Sequence, residues 1–361
     1  MKRWLALCGV LLACAPTLPP AYAHARDTAE SAYGKGQFEA AARAWLAAAD
    51  AARSARDRSE ARFRAAASYE RAGALEKARG LYERLAAGKS ERAPRAEFAL
   101  ADLRLRAGDE AGGYAALERA IRKYPSSGVA GLSLRRYFAE LAEHGGDQAV
   151  LAYIAEVEPA LDQSELAEQL LYERARRLDS EGKLVEARDA YSLVARRFPY
   201  PHGAYWDDAL FHGAECETRL ENPRGAIELL TQMLAAREVS HMSGSYERGR
   251  FADAAYRIAE LYRDAIHDPL AARRAFHGVF VDFPTSTLRD DALWQEALLA
   301  RRTSSEDACA PLALLVRELP DSRYAPCAHE ICPKILPAAQ RECRDYIRRE
   351  LEANPEPKDT R

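Results

Sequence analysis

Of the chain's 361 residues 48% are hydrophobic, but much of that share is alanine, which lets helices pack closely without building a thick core and so favours an elongated array over a globule. Fifty-two Lys and Arg stand interleaved with 55 Asp and Glu, for a formal net charge of −3, which excludes the basic field that nucleic acid demands. Alternating Val/Ile/Thr runs bounded by turns are absent, so the expected fold is all-α.

The first residues read as an export signal. Lys2-Arg3 precedes an apolar run from Trp4 to Ala13, then a proline-broken stretch ending Ala21-Tyr22-Ala23, a pattern too short to span a bilayer. Residues 1–23 are thus expected to be removed and the mature chain to work in a bacterial periplasm, soluble or associated with the outer membrane. Two cuts compete. Small side chains at Ala21 and Ala23 suit cleavage before His24, whereas Leu11-Leu12-Ala13-Cys14 resembles a lipoprotein box in which Cys14 is acylated. The first is the better match, because the run before Cys14 is short and Leu12 is untypical of such a box. No later segment is apolar enough to cross a membrane.

After the leader a spacing recurs: a turn glycine, five residues on a small residue, and four further a bulky one. Gly36-Gln37-Phe38 leads to Ala41 and Trp45, Gly73-Ala74-Leu75 to Ala78 and Tyr82, and Gly182-Lys183-Leu184 to Ala187 and Tyr191. Each copy reads helix, tight turn, helix. The small residue belongs where the two helices cross closely, and the bulky one fills the gap to the next hairpin. Gly36, Gly73 and Gly108 are 37 and 35 residues apart, and the pairs Ala226/Leu230, Ala272/Phe276 and Ala308/Leu312 carry the pattern nearly to the end. Proline closes many units, as in Tyr124-Pro125-Ser126-Ser127, Phe198-Pro199, Phe283-Pro284-Thr285-Ser286 and Leu319-Pro320-Asp321-Ser322; it cannot continue the preceding helix, and the Ser, Thr or Asp behind it suits a cap of the next. The unit around Gly145-Gly146-Asp147 is degenerate, with its phase uncertain by a residue, and Arg237 to Arg250 is a polar insertion expected to project as a loop.

This period and pattern resemble the tetratricopeptide repeat, whose unit is roughly 34 residues. The aromatic-Pro-x-Ser closure before an alanine-rich helix, as in Phe283-Pro284-Thr285-Ser286 leading to Ala292-Leu293-Trp294, is similar to the repeats of the bacterial β-barrel assembly lipoprotein and of the Tol-Pal periplasmic coordinator. The resemblance implies an all-α solenoid of about eight tetratricopeptide-like hairpins winding into a right-handed superhelix. Repeats over 24–163 and 164–324 would be followed by a cysteine-bearing terminal hairpin at 325–353 and a disordered tail at 354–361.

The family places the fifth position of each first helix on a concave groove. Counting back from each small residue, that position holds Phe63, Phe98, Tyr172, Phe211 and, with one residue of slack, Tyr256. Aromatic faces bind peptides with little rotamer entropy lost. Flanking positions carry Glu60, Asp102, Asp208, Glu215, Asp253 and Glu260, which favours a partner segment bearing Lys or Arg. The same stripes equally suit packing between hairpins and a solvated, ion-paired face.

Five cysteines follow the leader. Antiparallel packing of helices over Ala308–Leu319, Ala325–Lys334 and Ala338–Leu351 would bring Cys309 to Cys332 and Cys327 to Cys343, while Cys327 and Cys332 on one helix lie too far apart to bond. Free thiols and a metal site including His329 are the alternatives; Cys216 has no mate and reads as a buried small residue. Asp208, His212 and Glu215 share a helix face, but no fourth metal ligand is evident and ion pairing accounts for them. No nucleophile elbow, zinc-protease helix, phosphate loop or haem motif occurs, so neither enzyme activity nor a cofactor is expected. The reading is a non-enzymatic exported scaffold for an envelope protein or peptide segment, touching membrane only through that partner or a lipid on Cys14, in outer-membrane assembly or in cell-wall and division coordination. The alternatives are an accessory relative of helical-repeat cell-wall lytic enzymes and a self-assembling structural protein.

Overall fold

The computed structural model describes residues 18–236, 250–302, 305–336 and 341–353, and among them every regular element is helical. Two compact units divide the chain, Met1–Ala167 and Glu168–Arg361. In the first, α1 (Pro20–Gly34) pairs with α2 (Phe38–Ala51), α3 (Ala55–Arg71) with α4 (Leu75–Ala86), and α5 (Ala93–Arg106) with α6 (Glu110–Lys123), before α7 (Ala130–Leu161), which is folded back at Gly146. The second holds α8 (Ala167–Ser180), α9 (Leu184–Arg197), α10 (Trp206–Arg219), α11 (Pro223–Ala235), α12 (Arg250–Asp264), α13 (Pro269–Asp282), α14 (Arg289–Arg301) and α15 (Ser305–Glu318). A 3-10 turn (Ala325–Cys327) and the short helices α16 (Ala328–Ile331) and α17 (Asp345–Ala353) end it. Helices adjacent in sequence pack together within each unit, so the fold is a tetratricopeptide-like α-solenoid of hairpins.

The small residues lie where sequence spacing puts them. Ala41, Ala78, Ala187, Ala226, Ala272 and Ala308 are completely buried, with Trp45, Tyr82, Tyr191, Leu230, Phe276 and Leu312 buried four residues on. In the third hairpin the small residue is Gly113, where a Cβ would fall 2.5 Å from Leu105 Cγ. The degenerate fourth hairpin keeps the four-residue step with Val150 and Ile154, both fully buried.

Hairpin turns share one geometry. Gly36, Gly73, Gly108 and Gly182 adopt φ of +73° to +83°, each two residues before the second helix. Two later hairpins place Glu221 and His267, both at φ +59°, at that same point. There the following residue caps the helix: Asn222 accepts from Gly225 N at 3.2 Å, and Asp268 from Ala271 N at 2.9 Å, with Pro223 and Pro269 opening the helices.

Three local differences from the sequence expectation stand out. The serines behind the closing prolines are not helix caps: Ser286 Oγ accepts from Leu288 N and Ser322 Oγ from Tyr324 N, closing tight turns one step earlier. The terminal segment is less helical than expected, because a 3-10 turn, one turn of α16 and the nine residues of α17 replace two longer helices. Helix α1 starts at Pro20, upstream of the expected cut before His24. Cys14 and the rest of 1–17, the insertion at 237–249 and the tail at 354–361 lie outside the described residues.

Candidate partner-binding surface

The expected aromatic positions lie on first helices, two in the first unit and three on successive hairpins of the second, and they differ in what they expose. Phe98 on α5 and Tyr172 on α8 are core residues, 3% and 7% exposed, whereas Phe63 on α3, Phe211 on α10 and Tyr256 on α12 are half-buried. A rule not read from the sequence connects three of them: the column ring packs on the bulky ring of its own second helix. Phe63 meets Tyr82 at 5.5 Å between centroids, Tyr172 meets Tyr191 at 5.9 Å, and Tyr256 meets Phe276 edge-on at 5.2 Å. Tyr172 also stacks flat on Tyr205 of the following hairpin at 4.5 Å, and burial pushes its phenol up to about 12. Arginines cover two of the half-buried rings, Arg92 over Phe63 at 5.7 Å and Arg250 over Phe211 at 4.9 Å.

Those arginines come from the start of the next first helix, and arginines of the next first helix hold four of the six flanking carboxylates. Glu60 takes Arg64 at 2.7 Å and Arg92 from the following hairpin; Asp102 takes Arg136 at 2.7 Å; Asp208 takes Arg250 at 2.6 Å; Glu215 takes Arg257 at 2.8 Å. Glu260 binds the same Arg257 at 3.2 Å, while Asp253 is exposed. Within each unit the acidic residues are therefore held in ion pairs between neighbouring hairpins. Except at Asp253, a basic segment would meet these carboxylates only by exchanging with the arginines, and burial already raises the pKa of Asp102 despite its partners.

His212, Asp208 and Glu215 share a face but take separate partners. The imidazole stacks on Tyr191 at 5.7 Å, and burial, then Arg250, lowers its pKa. Among the described residues no three His, Cys, Asp or Glu converge as metal ligands, and no helix is long and apolar enough to cross a membrane.

Two hollows open in the first unit. One, about 350 Å³, is lined by Tyr33 of α1, Trp45 of α2 and Arg64 and Ala67 of α3. The other, about 870 Å³, lies between the second helices α4 and α6 over Leu100 and Leu103 of α5. Both are partly apolar and rimmed by charge, the surface a polypeptide segment fits.

In the second unit two disulfides tie down the segment behind α15. Cys309 bonds Cys332 and Cys327 bonds Cys343, with Cα atoms 5.2 and 4.7 Å apart, the same pairs that antiparallel packing suggests. Tyr324 stacks on Trp294 at 4.8 Å and donates to Asp291 at 2.6 Å. From α17, Glu350 accepts from Trp294 Nε1 and Gln295 Nε2, both at 3.2 Å. Cys216 is a buried free thiol whose pKa burial pushes up to about 12.

The tetratricopeptide repeat family matches residues 95–127, which are α5, α6 and the turn behind them. That segment is similar to one tetratricopeptide repeat. No curated protein matches the chain. Among solved structures, the C-terminal part of a TPR repeat-containing protein from Cytophaga hutchinsonii is 11% identical, over 73% of this chain and 98% of that one, with a TM-score of 0.45. PilF of Pseudomonas aeruginosa is 17% identical over 64% and 94%, with a TM-score of 0.38. YrrB, described as a TPR protein with an unusual peptide-binding site, is 17% identical over 59% and 97%, with a TM-score of 0.37. The matched repeat holds Phe98 and Asp102 of the two columns, and its small residue is Gly113.

Proposed function

We propose that this protein is an exported, non-enzymatic scaffold whose first helices hold a polypeptide segment of another bacterial envelope protein, serving outer-membrane assembly or cell-wall and division coordination. The observation that carries the reading is the alternation on one helix set of half-buried rings, Phe63, Phe211 and Tyr256, with arginine-carboxylate pairs from neighbouring hairpins. Rings that keep an open edge give contact area at low entropic cost, and paired charges at their side give a segment both donors and acceptors without leaving a lone buried ion. The partner's chemistry follows: an apolar or aromatic side chain beside charged ones, with Lys or Arg competing for the carboxylates now held by Arg250 and Arg257.

Site-specific photocrosslinking in the native envelope tests this. A photoreactive residue at position 211, 253 or 256 is expected to trap a second protein, and one at the exposed second-helix positions 185 or 270 is not. Trapping only from 185 and 270, or clearing of a cell-wall gel by the purified protein, would overturn the proposal.

A further inference from the structure

The beginning of α1 bears on where the exported chain is cut. Pro20 opens the helix, with Pro19 as its cap, and Ala23 N donates to Pro19 O at 3.0 Å. Tyr22 in that first turn is 5% exposed and joins a core cluster with Ala29, Trp45, Ala61 and Ala65, so its ring is shared among α1, α2 and α3. Burial first, then the charges of Asp57 and Glu60 on α3, raise the pKa of its phenol against the pull of Arg26 and Arg64. Cleavage between Ala23 and His24 would strip four residues from a fifteen-residue helix and remove its one large buried side chain, leaving Ala29 and Ala32. The loss would fall on the first hairpin of the unit, where a stacked array has a neighbour on one side only and a short helix depends on packing.

We infer that the exported protein is cut upstream of Pro19, so that Pro19–Ala23 remain part of the folded chain, with Tyr22 sealing the first hairpin against the second. The inference rests on the reading that the chain is exported. Of the two cuts legible in the sequence, the one between Ala13 and Cys14 spares this turn and the one before His24 destroys it.

The test is the mass of the N-terminal peptide from the full chain, expressed with its own leader in a Gram-negative host and recovered from the envelope. An N-terminus upstream of Pro19, at an acylated Cys14 or at any other residue, is the expected result. A mature chain beginning at His24 overturns the cut and leaves the export reading standing; a chain that keeps Met1 overturns both. Thermal melts of the chain begun at residue 19 and at residue 24 supply the physical arm. The longer form is expected to melt several degrees higher, its Tyr22→Phe variant to keep most of that margin and Tyr22→Ala to lose it. Equal melting of the two forms would remove the basis of the inference.

Discussion

Arg257 of α12 grips Glu215 of α10 with two of its nitrogens, Nε to Oε1 at 2.8 Å and Nη2 to Oε2 at 3.2 Å, across 42 residues. Arg250 meets Asp208 at 2.6 Å over the same interval, so the pairing repeats with the hairpins. Both arginines are about a third exposed, and solvent therefore limits each pair to roughly 1 kcal/mol or less. Arg250→Ala with Arg257→Ala is expected to change the urea midpoint little while freeing two carboxylates. Fluorescence polarisation with a lysine-rich peptide should then show tighter, more salt-sensitive binding than the unaltered chain. No gain would mean that these carboxylates do not reach a bound segment.

Glu221 and His267 hold a backbone conformation that suits glycine, at the place where four other hairpins have glycine. The left-handed region costs a side-chain-bearing residue about 1 kcal/mol, which caps and prolines at 222–223 and 268–269 offset. Glu221→Gly and His267→Gly are each expected to raise stability by up to about 1 kcal/mol in urea titration, and Glu221→Ala is not.

His212 gives the second unit a pH dependence with a definite sign. Its pKa is lowered, by burial first and then by Arg250, against the opposing pull of Asp208 and Asp179. A depressed histidine contributes stability that is present above its ordinary value near 6.5 and lost as pH falls through the lower folded value. The midpoint of unfolding should fall between pH 7 and pH 5 more steeply in the unaltered chain than in His212→Gln. Parallel curves for the two would show that the imidazole does not titrate with folding.

Packing and recognition separate along the aromatic column. Phe98, 3% exposed, should cost about 3–5 kcal/mol on replacement by alanine, as a large cavity in the core does. Phe211 keeps an open edge beneath Arg250 and should cost about 1 kcal/mol while weakening capture of the crosslinked partner. Comparable unfolding from both would make the column packing throughout.

Periodicity made the hairpins legible because alanine at each crossing and a large residue four on are imposed by close packing, which leaves little freedom at positions such as Ala78 and Tyr82. Turns were legible where glycine marks them. At Glu221 and His267 the only signals are Asn222-Pro223 and Asp268-Pro269, a cap followed by a proline, and these locate the turn without a glycine. The acidic stripe was visible as residues but not as a ladder, since Arg250 and Arg257 reach Asp208 and Glu215 from 42 residues away across the insertion. Nor does local patterning reveal that the column rings pair with Tyr82, Tyr191 and Phe276, because that depends on how each hairpin closes. The terminal segment misled for a related reason: bridges, not helix propensity, hold it in place.

That segment yields the last prediction. Helix α17 has nine residues, too few to persist in water, yet it buries Ile347 and Leu351 against the last hairpin and carries Glu350 to Trp294. Cys327–Cys343 closes a loop of 16 residues, and a crosslink of that length contributes about 3 kcal/mol by restricting the unfolded chain. This is comparable with what so short a helix gains by burying two aliphatic side chains, so the bridge decides whether the cap stays down. Cys327→Ser with Cys343→Ser is expected to abolish hydrogen-exchange protection over 345–353 and lower it over 289–301, where Trp294, Gln295 and Arg301 lose their partners on α17. Protection of the first unit should not change, because the loss is confined to the last hairpin of the second unit. If the double variant keeps its protection at 345–353, packing alone holds the cap and the disulfide is incidental to it.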